Sequence, residues 1–158
     1  MIQRIQTVYL FFALVICGIL FFVPISMILP EHLSDDVFKL DIFGIKQYTD
    51  MQLSTSENTY LLIALLILVA FITIANIFLF KNRPLQAKLV RLSMLLMLIF
   101  CLLIFYYSDI MKESSNLNLN PVYLVGTYLP FLQIILLFLA IRAIKNDEEL
   151  VRSADRLR

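Results

Sequence analysis

Four stretches of the chain carry no charged residue: Ile5 to Pro30, Asn58 to Phe80, Leu92 to Ser108 and Ser114 to Ile141. A bilayer core takes about 20 apolar residues as helix. Each stretch therefore predicts one span, over approximately 5–29, 59–80, 89–108 and 121–144. The third reaches this length by borrowing Leu89 and Val90 while Lys88 and Arg91 extend outward on their aliphatic stems. The first exceeds the apolar core of about 7 to 15 residues found in a signal peptide, and no Ala-x-Ala site closes it. It reads as a retained helix in a chain intact from Met1.

The polar intervals have patterns of their own. In "VFKLDIFGIKQY", Phe38, Leu40 and Ile42 alternate with Lys39 and Asp41, the period of a half-buried strand, and Phe43 and Gly44 offer a turn. "SNLNLN" alternates Leu117 and Leu119 with Asn116, Asn118 and Asn120. A lone hairpin is marginal in water, so a small extracytoplasmic sheet of two or three strands is expected, built on the outer loop at 30–58. The short basic link "KNRPLQAK" makes the second and third helices antiparallel neighbours. In the tail at 145–158, Leu150, Val151, Ala154 and Leu157 fall on one stripe, and Glu148 with Arg152 and Asp155 with Arg158 are spaced to support a helix. The tail is thus expected to continue the fourth helix as an amphipathic extension.

Composition agrees with this pattern. The chain of 158 residues is 61% hydrophobic and 16% charged with three glycines, against about 25% charged in soluble domains. The predicted fold is an all-α membrane protein: a four-transmembrane-helix antiparallel bundle forming one domain over 1–158, with a small extracytoplasmic β-element and a cytoplasmic C-terminal helical extension.

Charge gives the orientation. With the first residues inside, the inner segments hold Arg4, Lys81, Arg83, Lys88, Arg91, Arg142, Lys145, Arg152, Arg156 and Arg158, and the outer ones only Lys39, Lys46 and Lys112. Positive residues collect on the cytoplasmic side, so both termini are expected there.

Candidate chemistry is sparse. No span carries an ionisable residue in its middle, where proton pumps and ion-coupled carriers place theirs. Asn76 and Gln133, with Thr73 and Ser93, read as interhelical polar contacts worth roughly 0.6 to 2 kcal/mol each. Pro24 and Pro130 read as packing kinks in the outer halves of helices one and four. Cys17 and Cys101 sit in apolar helices and read as small buried residues. His32 is the one histidine, which rules out a bis-histidine haem. Asp35 and Asp36 read as a solvated acidic loop. No serine has a neighbouring base, and no phosphate-binding glycine loop exists. No enzymatic activity, cofactor, metal or nucleic-acid partner is expected.

The opening "MIQRIQTVYL", the helix-two exit "FLFKNRPLQAKL" and the ending "AIKNDEELVRSADRLR" resemble a family of small four-helix inner-membrane proteins of Bacteroidota, domain of unknown function family 4293. The resemblance covers essentially the whole chain. It implies this topology and a bacterial cytoplasmic membrane, and it implies no activity. A likeness to claudin-type proteins lacks their paired extracellular cysteines and tryptophan.

Two functions remain as expectations. The first is a non-catalytic accessory or assembly subunit of an inner-membrane complex, in protein export or envelope biogenesis, in contact with membrane lipids and other subunits. Its partner contact would lie on Lys81, Arg83, Gln86, Arg152, Asp155 and Arg156. The alternative is a small lipid or apolar-ligand carrier with a site between the helices around Asn76, Gln133 and Tyr128.

Overall fold

The computed structural model describes residues 5–29, 37–49, 52–79, 82–115 and 120–156, with the backbone alone at 49, 52–56, 114 and 150–156. Its elements run α1 (Ile5–Leu20), β1 (Ser26–Ile28), β2 (Val37–Asp41), β3 (Gly44–Thr49), β4 (Gln52–Asn58), α2 (Tyr60–Phe78), α3 (Arg83–Ser114), β5 (Val122–Tyr123) and α4 (Val125–Arg156). α1 packs on α2 and α4, and α3 packs on the same two, so the four helices close into a ring. A five-stranded antiparallel sheet in the order β4-β3-β2-β1-β5 sits on one end of it. The link at 79–82 marks the opposite end, here called the turn end.

Three of the helices, α2, α3 and α4, are long and apolar enough to cross a membrane. The expected first span over 5–29 ends earlier: among the described residues α1 has 16, Ile5–Leu20, about 24 Å at 1.5 Å per residue, against roughly 30 Å of hydrocarbon. Pro24 is the reason. It disfavours helical geometry in the residue before it, and the chain leaves the helix through turns in which Phe22 N–H donates to the Ile19 carbonyl at 3.0 Å and Val23 N–H to the same oxygen at 3.2 Å. Pro24 is therefore a terminator between α1 and β1, not a kink. Pro130 does lie inside α4 and is buried there.

Two other boundaries differ from expectation. α3 begins at Arg83, inside the segment read as a turn, because Pro84 stands in its first turn, where a missing N–H costs little. Residues 121–124 supply β5 and its exit instead of starting α4. From Val125 to Arg156, α4 runs unbroken, so the helical extension is present.

The alternation at 37–42 appears as expected, with Phe38, Leu40 and Ile42 buried and Val37, Lys39 and Asp41 half-buried. β2 and β3 form a hairpin with Asp41 paired to Gly44, and β4 extends it with a register shift between Gln47 and Tyr48. The sheet is larger than two or three strands because short segments flanking the helices join it: β1 pairs with both β2 and β5. Most of "SNLNLN" lies outside the described residues, and the strand from that loop is Val122–Tyr123. Two glycines allow close approaches. A Cβ on Gly44 would strike the Glu57 carbonyl, and one on Gly126 the Pro24 carbonyl.

One apolar core runs from the sheet into the bundle through Phe38, Leu40, Ile25, Leu20, Leu66, Phe100 and Met97. A second, at the turn end, joins Leu10, Ala13, Ala87, Val90, Ala140 and Ile144. Outside them lies a belt of exposed large residues on every helix, Phe12, Phe71, Phe78, Leu102 and Phe138 among them. In water each would forgo about 1.5–3 kcal/mol of burial, which suits a surface that faces hydrocarbon.

Candidate functional site

Among the described residues, three side-chain joints hold the sheet to the helices. Thr59, just before α2, donates from Oγ1 to the Ile42 carbonyl at 2.9 Å; Thr127 in α4 donates to the Ile25 carbonyl at 2.7 Å; the Ser26 and Ser108 hydroxyls meet at 3.0 Å. All six residues are buried. Sequence reading misses these contacts, since single hydroxyls next to apolar runs carry no periodic signal. On the sheet, Asp41 accepts from Lys46 at 2.9 Å and pairs with Lys39 at 3.6 Å. The hydrogen bond to Asp41 raises the Lys46 ammonium above its usual pKa, against some desolvation.

Inside the bundle, Gln133 and Asn76 behave differently. Gln133 of α4 donates from Nε2 to Cys17 Sγ of α1 at 3.0 Å, an interhelical contact as expected. Cys17 and Cys101 are both free and buried. Asn76 of α2 is wholly buried, yet neither atom of its side-chain amide has a partner among the described residues. The contact to α3 goes through its backbone, where the Asn76 carbonyl accepts from Gln86 Nε2 at 2.9 Å. That carbonyl lies in the last turn of α2, where helix geometry leaves oxygens without intrahelical donors. Thr73 and Ser93 bond to the carbonyls four residues back in their own helices and join nothing. Tyr128 is exposed in the first turn of α4, at the sheet end, far along the bundle from Asn76. The trio Asn76, Gln133 and Tyr128 is therefore not brought together.

The turn end is where polar groups collect. Gln86, expected on a contact surface, is 1% exposed, because its amide is drawn inward to the end of α2. Arg83, half-buried, reaches across to α4 and donates from Nη1 to the Asp147 carbonyl at 2.9 Å. Arg152, Asp155 and Arg156 lie in the last two turns of α4, where the backbone alone is described, and Lys81 lies outside the described residues. His32, Asp35 and Asp36 also lie outside them.

Between the first turns of α1 and the far part of α4 is a cavity of about 330 Å³, lined by the apolar Ile5 and Leu139 and by the polar Gln6, Arg142, Asn146 and Asp147. Gln6 is 2% exposed, and its Oε1 has no hydrogen-bond partner among the described residues. Nothing in the sequence singles out Gln6, a polar residue opening an apolar run.

A family model described as Domain of unknown function (DUF4293) matches residues 2–157. No curated protein matches the chain.

Proposed function

This chain belongs to the DUF4293 family, a domain of unknown function, and we propose that it is a non-catalytic accessory or assembly subunit of a complex in the bacterial inner membrane. In this reading it is multi-pass, α1 joins the three longer helices in the bilayer, and the turn end and both termini face the cytoplasm. The distribution of Lys and Arg supports that orientation. A role in protein export or envelope biogenesis suits a protein that presents one structured surface on each side of the membrane.

The observation that carries the proposal is the unbroken α4. It leaves the apolar belt after Phe138 and continues to Arg156 with Arg83 clamped to Asp147 on the way. A helix held in this manner presents Arg152, Asp155 and Arg156 from a fixed base, at less ordering cost on association than a loose tail. Gln86 is left out of the contact surface because it is buried, and Arg83 acts as the clamp. The alternative of a lipid or apolar-ligand carrier needs a chamber between the helices, and Leu66, Met97, Phe100 and Ile104 occupy the middle of the bundle.

The test is a mild-detergent pull-down of the tagged chain and of a form ending at Glu149, which keeps the clamp. Stoichiometric membrane partners with the full chain, and their loss with the shortened one, are expected. Undiminished capture by the shortened chain would overturn the reading.

A further inference from the structure

We infer that the cavity between α1 and α4 is a seat for the headgroup of a phospholipid carrying a primary ammonium, of the phosphoethanolamine type. The inference rests on the membrane placement proposed above and is independent of any protein partner.

Position comes first. Along the exposed side of α4 the large apolar residues Phe131, Leu132, Ile135 and Phe138 give way, one turn on, to exposed Arg142. The cavity lies at this boundary, with Leu139 before it along α4 and Arg142, Asn146 and Asp147 from it onward. At the level where hydrocarbon ends, a lipid brings its phosphate and the group beyond it. A volume of about 330 Å³ is at the small end of ligand sites, which occupy roughly 300–1,000 Å³, and suits a headgroup with its acyl chains left outside on the belt.

Chemistry then selects the headgroup. Arg142 offers a planar fork of donors that matches phosphate oxygens, with the Asn146 amide and the Tyr9 hydroxyl available beside it. No ion pair holds Arg142 or Asp147 among the described residues. The half-buried Asp147 carboxylate adds a negative charge at the cavity wall. A primary ammonium answers it with a charge-assisted hydrogen bond to that carboxylate while its phosphate meets Arg142. A trimethylammonium headgroup has no N–H for Asp147. A phosphoglycerol headgroup brings no positive charge to Asp147. Both are disfavoured by the groups they leave unpaired.

The full chain is first extracted from membranes at alkaline pH. Release there would remove the membrane placement itself, a result distinct from any change in lipid retention. The detergent-purified chain is then mixed with dioleoyl phosphatidylethanolamine, phosphatidylcholine or phosphatidylglycerol, and retained lipid is counted by native mass spectrometry. One phosphatidylethanolamine per chain is expected, about tenfold above the other two, the factor for one charge-assisted hydrogen bond of about 1.4 kcal/mol. Arg142→Ala and Asp147→Asn lose it, whereas Lys145→Ala, exposed and outside the cavity, keeps it. Asp147→Asn leaves the carbonyl that Arg83 uses, and an unchanged melting temperature shows the variants folded. Equal retention of the three lipids, or retention unchanged in Arg142→Ala, would overturn the assignment. Displacement by soluble phosphoethanolamine at equal concentration would also do so, since the seat would then serve a free solute.

Discussion

Arg83, the first residue of α3, donates from Nη1 to the backbone carbonyl oxygen of Asp147 in α4 across 2.9 Å, 64 residues away in the chain. A helix carbonyl already used along its own axis keeps a second lone pair, so this contact adds to the helix without competing with it. It ties the entry of one helix to the stretch of another that has left the apolar belt.

Removing that tie loosens the extension and spares the bundle. Arg83→Ala is expected to cost about 1 kcal/mol, below the range for a fully buried charged hydrogen bond because the site is half-open. Hydrogen exchange of the amides at 147–152 then rises about fivefold, the factor for that energy, with exchange in α2 unchanged. Identical protection in both proteins would show that the contact does not hold the extension.

Asn76 gives a prediction of opposite sign. Its side-chain amide is buried with both atoms unpaired among the described residues, and replacing an unsatisfied polar group by an apolar one of like shape is neutral or stabilising. Asn76→Leu is expected to raise detergent-phase stability by about 1 kcal/mol, read as a higher melting temperature. Gln86 still has its acceptor, since that is the Asn76 backbone. A marked loss of stability would mean that water or a ligand occupies the amide.

Glycine substitutions separate close approach from mere flexibility. Gly126→Ala and Gly44→Ala place a Cβ against backbone carbonyls of Pro24 and Glu57, which have no side-chain freedom to withdraw. Each is expected to cost about 1–3 kcal/mol, the range for overpacking. Gly18→Ala meets nothing within 4 Å and should stabilise α1 slightly, as Ala exceeds Gly in helix propensity by about 1 kcal/mol. Equal melting temperatures for the three variants would refute the steric account.

The Lys39–Asp41–Lys46 group predicts an alkaline response. The Lys46 ammonium is raised by its hydrogen bond to Asp41, so its contribution is complete below the unfolded value of about 10.4 and fades as pH rises through the folded one. The effect is small, because the side chain is 28% exposed and solvent screens the pair. NMR titration of the Lys46 side chain should show its midpoint fall in Asp41→Asn. An unmoved midpoint would dismiss Asp41 as the cause.

What the sequence discloses depends on periodicity. Phe38, Leu40 and Ile42 repeat every second residue, and Leu150, Val151 and Ala154 fit one helical stripe, so the hairpin and the unbroken α4 can both be anticipated. β1 and β5 are three and two residues long, too short to show a period, and their pairing depends on tertiary neighbours. Pro24 signals the end of α1, but the continuous apolar run through Phe22 and Ile25 masks it. Gln86 shows a further limit: composition places a glutamine on the surface, and only the unmet carbonyl at the end of α2 draws it inward. Family membership is legible from the motifs at the two ends and at the link, and the family match over 2–157 agrees.

The order of strands also sets a schedule for synthesis. β2, β3 and β4 are consecutive in the chain and can pair as soon as they leave the ribosome, whereas the outer side of β1 receives its partner only after α3 and the loop beyond it have been made. Local pairings form ahead of distant ones because their loops close at less entropic cost. Throughout that interval β1 offers an unsatisfied edge at the sheet end of the bundle, the kind of edge that recruits other chains. Val122 and Tyr123 thus act as a latch: two residues whose late arrival covers the edge that β1 had left open.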